Sequence, residues 1–216
     1  MKKILPLLFS LSFILQKTDA QVGGEHIYEF LNHSNSARVT GLAGNLITVK
    51  DDDVALAYSN PSLLNAEMHQ ELTFNYNFHL SDISNGYFGY AHHLKKQDLT
   101  LHGGLQYITY GKFDWTDNLG NVNGQFKASE YALTMGAGKQ LYKNLSVGAN
   151  LKVINSQLES YTSYGIATDV GAYYSDLTGR FGATLVFKNM GVQLSAYEGE
   201  NREALPFDIQ LGISQR

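Results

Sequence analysis

The chain has 216 residues, of which 44 % are apolar, 12 % aromatic and only 17 % charged, with a net charge of −4. That balance excludes a disordered chain, which needs few aromatics and a high net charge, and a basic footprint for nucleic acid. The absence of cysteine excludes a disulfide framework, a thiolate metal site and a cysteine nucleophile.

Residues 1–20 read as a secretory signal peptide. Lys2 and Lys3 precede a largely apolar run from Ile4 to Leu15, and a polar stretch then ends in Thr18, Asp19 and Ala20. A run of about 12 apolar residues is too short to span a bilayer, which needs ~20. Its removal takes away three lysines and one aspartate and leaves a net charge of −6.

Residues 21–70 do not alternate. HIYEFLNHSNSAR predicts a short helix ending in polar residues, and Asp51, Asp52 or Asp53 can cap a second one beginning at Val54, because a side-chain oxygen there satisfies free backbone N–H groups. Asn60-Pro61 stops it.

From residue 71 the period is two. In ELTFNYNFHL, Leu72, Phe74, Tyr76 and Phe78 share one face, and Thr73, Asn75 and Asn77 the other. LSVGANLKV alternates Leu145, Val147, Ala149, Leu151 and Val153 with Ser146, Gly148, Asn150 and Lys152, and RFGATLVFK does so with Val186 as an exception. Weaker copies bring the count to about nine strands, several of about 9–11 residues, the length that crosses a bilayer at a tilt.

Alternation alone fits a soluble sandwich as well as a membrane barrel. Small uncharged polar faces, tyrosines near strand ends (Tyr87, Tyr107, Tyr110, Tyr161, Tyr164, Tyr173, Tyr174) and connections of alternating length favour the barrel. The links near 95–98, 141–144 and 175–179 are short and fall on one side; those near 111–127 and 155–162 fall on the other. Two links break the rule: a short turn near 188–190 and a longer link near 198–204. The expected architecture is therefore all-β, an antiparallel transmembrane barrel over 71–216 behind an N-terminal hatch over 21–70. Asn75, Asn77, Asn150 and Lys152 are expected in its lumen.

Ser36-Ala37-Arg38, Gly41-Leu42-Ala43-Gly44, Asp51-Asp52-Asp53 and Ala57-Tyr58-Ser59-Asn60-Pro61-Ser62-Leu63-Leu64 resemble the N-terminal hatch of FadL-type outer-membrane barrels. More closely, residues 24–65, with LPFDIQLGIS near 205–214 as a second patch, are similar to the PorV/PorQ group of the Bacteroidetes type IX secretion system. The resemblance implies an outer-membrane barrel that works with a surface sortase and a further surface protein to attach secreted cargo to the cell envelope. It implies hatch residues Ser36, Arg38, Gly41, Gly44, Asp51, Asp52, Asp53, Asn60 and Pro61. Family barrels have about fourteen strands and usually end in an aromatic residue. About nine strands ending in Gln-Arg lead to the expectation of a fragment of a longer barrel, with closure by copies of itself as the alternative.

The remaining chemistry is sparse. The aspartate triplet lacks EF-hand spacing, and the adjacent His92 and His93 would face opposite sides of a strand. No G-x-S-x-G, S-x-x-K, phosphate loop or dinucleotide fingerprint occurs, so neither an enzyme nor a cofactor is expected. Phe113, Trp115 and Phe126 on the long link are candidate partner contacts, since aromatics dominate binding hot spots; packing within the loop and anchoring at the membrane interface are the alternatives. The functions that follow are a structural part of the attachment complex, a FadL-like channel for hydrophobic solutes, or a soluble exported β-domain that binds a ligand.

Overall fold

The computed structural model describes residues 26–215; the expected signal peptide lies outside the described residues. Eight strands form one antiparallel sheet in chain order: β1 (Leu72–Phe78), β2 (Ser84–Leu94), β3 (Leu99–Thr116), β4 (Val122–Tyr142), β5 (Leu145–Leu158), β6 (Tyr161–Ser175), β7 (Phe181–Ser195) and β8 (Asp208–Gln215). Among the described residues β1 pairs with β2 and β8 with β7, so both are edges. Residues 26–68 hold only short helices, Ala37–Gly41 and Leu56–Ser59, and 3-10 turns at Glu29–Asn32, Pro61–Leu63 and Ala66–Met68.

The all-β antiparallel expectation holds, with eight strands in place of about nine. The two strands expected on either side of 188–190 are one strand, β7. A β-bulge there, with Asn189 at φ 55, turns both Lys188 and Asn189 inward against a register shift at Asp169. A bulge adds one residue and inverts the alternation beyond it, which reads in sequence like a strand break. Correcting it also removes both misfits among the links, while the link expected near 155–162 is only a two-residue turn, as short as 143–144 at the other end, because β5 and β6 continue to Leu158 and from Tyr161. The links 95–98, 143–144 and 176–180 lie at one end of the sheet, and 79–83, 117–121, 159–160 and 196–207 at the other. The expected long loop 111–127 is mostly strand, because β3 and β4 continue as a ribbon closed by a turn over 117–121. There the Asp117 carboxylate accepts the Leu119 and Asn121 N–H groups.

The sheet is covered on its polar face. In β5, Ser146, Asn150, Lys152 and Ser156 are buried while Ala149, Leu151 and Val153 are exposed. The opposite faces of β1 and β8 likewise expose Phe74 at 67 % and Leu211 at 74 %. Residues 26–68 supply the cover and most of its apolar content. Ile27, Tyr28, Phe30 and Leu31 pack on Ile108, Ala132, Ile154 and Ala167; Val54, Ala57, Leu64 and Met68 pack on Ala91. The sheet meets this segment mostly with small or polar side chains, so its greasy residues face away.

Candidate functional site

The local structure of the hatch follows its residue types. Ser36 caps the helix Ala37–Gly41 by accepting the Val39 N–H at 3.2 Å. Gly44 ends that turn at φ +85, donating to the Val39 carbonyl. Asp51 accepts the Asp53 N–H and Asp53 accepts the Ala55 N–H. The helix that follows starts at Leu56, two residues later than expected, and stops at Asn60 as expected. Arg38 clamps both carboxylates, at 2.7 Å from Asp51 and 3.4 Å from Asp53. Asp52 is exposed, and nothing lies within 4 Å of a Cβ built on Gly41.

Asn60-Pro61-Ser62 sits in a track of glycines. Gly138, Gly148 and Gly171 are in register across β4, β5 and β6. A Cβ on Gly148 would collide with the Pro61 carbonyl, one on Gly171 with Asn60 Oδ1, and one on Gly138 would lie 2.7 Å from the Pro61 oxygen. Only glycine lets the two backbones approach this closely. Asn60 fixes the turn: its Nδ2 donates to the Ile47 carbonyl and to Thr184 Oγ1, both at 2.9 Å, and its Oδ1 accepts from Ser62 N–H and Oγ–H. Pro61 at the first helical position lacks the N–H that would have been unpaired there.

Above the track lies a buried polar cluster. Lys152 Nζ donates to Asp169 at 2.8–3.0 Å and to Asn189 Oδ1 at 2.9 Å, with both members of the ion pair fully buried. It stands 4.5 Å over the Tyr58 ring. Asn189 N–H donates to Asp169, and Asn189 Nδ2 reaches Asn32 of the hatch and the Pro206 carbonyl. Asn150 Nδ2 donates to the Ala57 carbonyl. Burial, with the Asp169 charge beside it, raises the Tyr58 hydroxyl well above the usual tyrosine range, so it stays a donor to the Leu31 carbonyl. Lys50 donates to Ser146 Oγ at 2.6 Å, and burial pushes its ammonium below the usual lysine range. These contacts hold residues 26–68 against the polar face of the sheet.

The aromatic candidates lie elsewhere. Phe113 and Phe126 are opposite each other on the β3–β4 ribbon with rings 5.2 Å apart, and Trp115 is 61 % exposed opposite Gly124. Of the tyrosines expected at an interface, Tyr87, Tyr110 and Tyr173 point inward; Tyr87 is buried and bonded to His102. Tyr107, Tyr164 and Tyr174 point outward. His92 meets His69 while His93 bonds Thr100, and no metal-binding group of three or more His, Asp or Glu occurs among the described residues.

Lys152 and Asn150 were legible as lining residues; Asp169, Asn189 and the glycine track were not. A lone charge on an otherwise small polar face is the signal Asp169 carries, but only register shows that it meets Lys152. No family model matches the chain, and no curated protein matches it.

Proposed function

We propose that the sheet is the wall of an outer-membrane β-barrel, that residues 26–68 are its plug, and that the protein is a component of the type IX secretion attachment complex beside a sortase and a surface protein. One observation carries the membrane reading: the apolar face looks outward and the polar face inward, onto the plug. Soluble monomers seldom expose apolar patches above a few hundred Å². An outward row of tyrosines and a further outward tyrosine below it fit a bilayer. Tyr76, Tyr107, Tyr131 and Tyr164 fall on one lateral line through the register, and Tyr174 falls ten positions from Tyr164 along β6. At about 3.3 Å per residue and a tilt of about 40°, that separation gives about 25 Å of height, the apolar band of such barrels. Edges β1 and β8 need pairing in that setting.

The secretion role rests on the hatch resemblance, of whose residues Asn60 and Pro61 sit on the glycine track. Deleting residues 25–65 in the native host tests it. An attachment role predicts release of cargo into the medium with solute uptake unchanged. Loss of hydrophobic-solute uptake with cargo retained supports a FadL-like channel instead. Purification without detergent overturns the membrane reading.

A further inference from the structure

Among the described residues, Lys50 of the hatch is a half-buried cation that forms no ion pair. An ammonium carries three donors. One goes to Ser146 Oγ at 2.6 Å, and the group stands 5.8 Å from the centre of the Tyr173 ring. Burial lowers its pKa, and the charges of Glu67 and Asp98 offset that only in part. A charge taken out of water without a partner is costly, and a bound anion beside it would remove much of that cost.

Hydroxyls border the space beside it. Ser175, Gly182 and Ser214 are in register across β6, β7 and β8, and the buried glycine leaves the middle of that row open. A Cβ on Gly182 would lie 2.8 Å from Ser214 Oγ and 3.1 Å from the hydroxyl of Tyr173, whose ring Lys50 overlies. Ser214 also donates to the Thr48 carbonyl of the hatch at 3.5 Å. Lys50, Tyr173, Gly182 and Ser214 line one concavity of about 370 Å³, and the exposed Arg180 lines it too. Among the described residues that line it, the exposed Glu67 is the one carboxylate, against two cations. Its polar groups come from β6, β8, the hatch and the link before β7, hence from several directions. That arrangement suits a tetrahedral oxyanion better than a planar carboxylate, and lysine and arginine both pair with phosphate.

We propose that this concavity binds a phosphate group at Gly182, with Lys50 as its main counterion, the Tyr173 and Ser214 hydroxyls as hydrogen-bond partners and Arg180 as a second cation. The purified protein, in non-ionic detergent, is titrated calorimetrically with inorganic phosphate at constant ionic strength. One saturable site is expected, with acetate giving none. Affinity falls at least about tenfold in Lys50→Gln, which removes a charge-assisted hydrogen bond, and about threefold in Arg180→Gln, which removes an exposed charge. It is unchanged in Arg202→Gln, which removes an exposed cation in the β7–β8 link at the other end of the sheet. Gly182→Ala keeps every charge but fills the hollow, so it too weakens binding at least about tenfold. Arg180 is exposed, so its variant keeps the test decisive if another fails to fold. Dioctanoyl phosphatidate carries the same group on a lipid and separates the two sources. Tighter binding than inorganic phosphate assigns a lipid headgroup, equal or weaker binding assigns free phosphate, and both support the site. No saturable binding, equal binding of acetate, undiminished affinity in Lys50→Gln, Arg180→Gln or Gly182→Ala, or an equal loss in Arg202→Gln overturns it.

Discussion

Gly148 and Gly103 make opposite predictions for the same substitution. A Cβ on Gly148 would land on the Pro61 carbonyl, with Ser62 N 2.7 Å away. These are backbone atoms, so no rotamer change relieves the clash. Restoring ordinary contact of about 3.5 Å requires the turn to retreat by about 1 Å. Overpacking of this kind costs about 1–3 kcal/mol. The retreat also stretches the 2.9 Å bond from Asn60 to Thr184, worth about 1 kcal/mol. Gly148→Ala should therefore lose about 2–4 kcal/mol. Gly103 lies on the outward face of β3 with nothing within 4 Å of its Cβ position. Gly103→Ala should gain about 0.5–1 kcal/mol, the strand cost of glycine removed. Trypsin cleavage after Arg38 and Lys50, together with urea unfolding in detergent, reads both. If plug opening precedes cleavage, 2 kcal/mol speeds it about 30-fold in Gly148→Ala. Equal cleavage of the two variants would refute the seating of Asn60-Pro61-Ser62 on the glycine track.

Lys152→Met should cost about 3–5 kcal/mol in urea unfolding, because Asp169 is left buried and charged, whereas Lys152→Met/Asp169→Leu should recover most of that loss; a double variant as weak as the single one would contradict the pairing. Asn60→Ala should cost about 2–3 kcal/mol, since it takes the Asn60 partner from the buried Ile47 carbonyl and Ser62 N–H, and it should raise trypsin cleavage without changing detergent partition. For Lys50 the folded value lies below the unfolded one, so holding its charge costs stability below the folded value and that cost fades as pH rises through it. The unfolding midpoint should climb as pH approaches 10.5 in the native chain, and Lys50→Met should flatten that climb.

The strand content and the identity of the two faces were legible from residues 71–216, because the two-residue period of a strand assigns every side chain to one side. Leu151 against Lys152, or Phe74 against Asn75, needs no partner to be sorted. The helix stop at Asn60-Pro61 was equally local, since proline restricts its own backbone and that of its neighbour. The strand count was not local: a bulge at Lys188–Asn189 breaks the period as a turn would, and only pairing with β6 shows the chain running on. Register is likewise a relation between strands. It alone lined up Gly138, Gly148 and Gly171 beneath Pro61, set Asp169 beside Lys152, and turned Phe113 and Phe126 to the same side of the ribbon. Alternation told which residues differ in side; the tertiary structure decided that the polar side is the one enclosed, because the hatch brought the apolar residues that fill it.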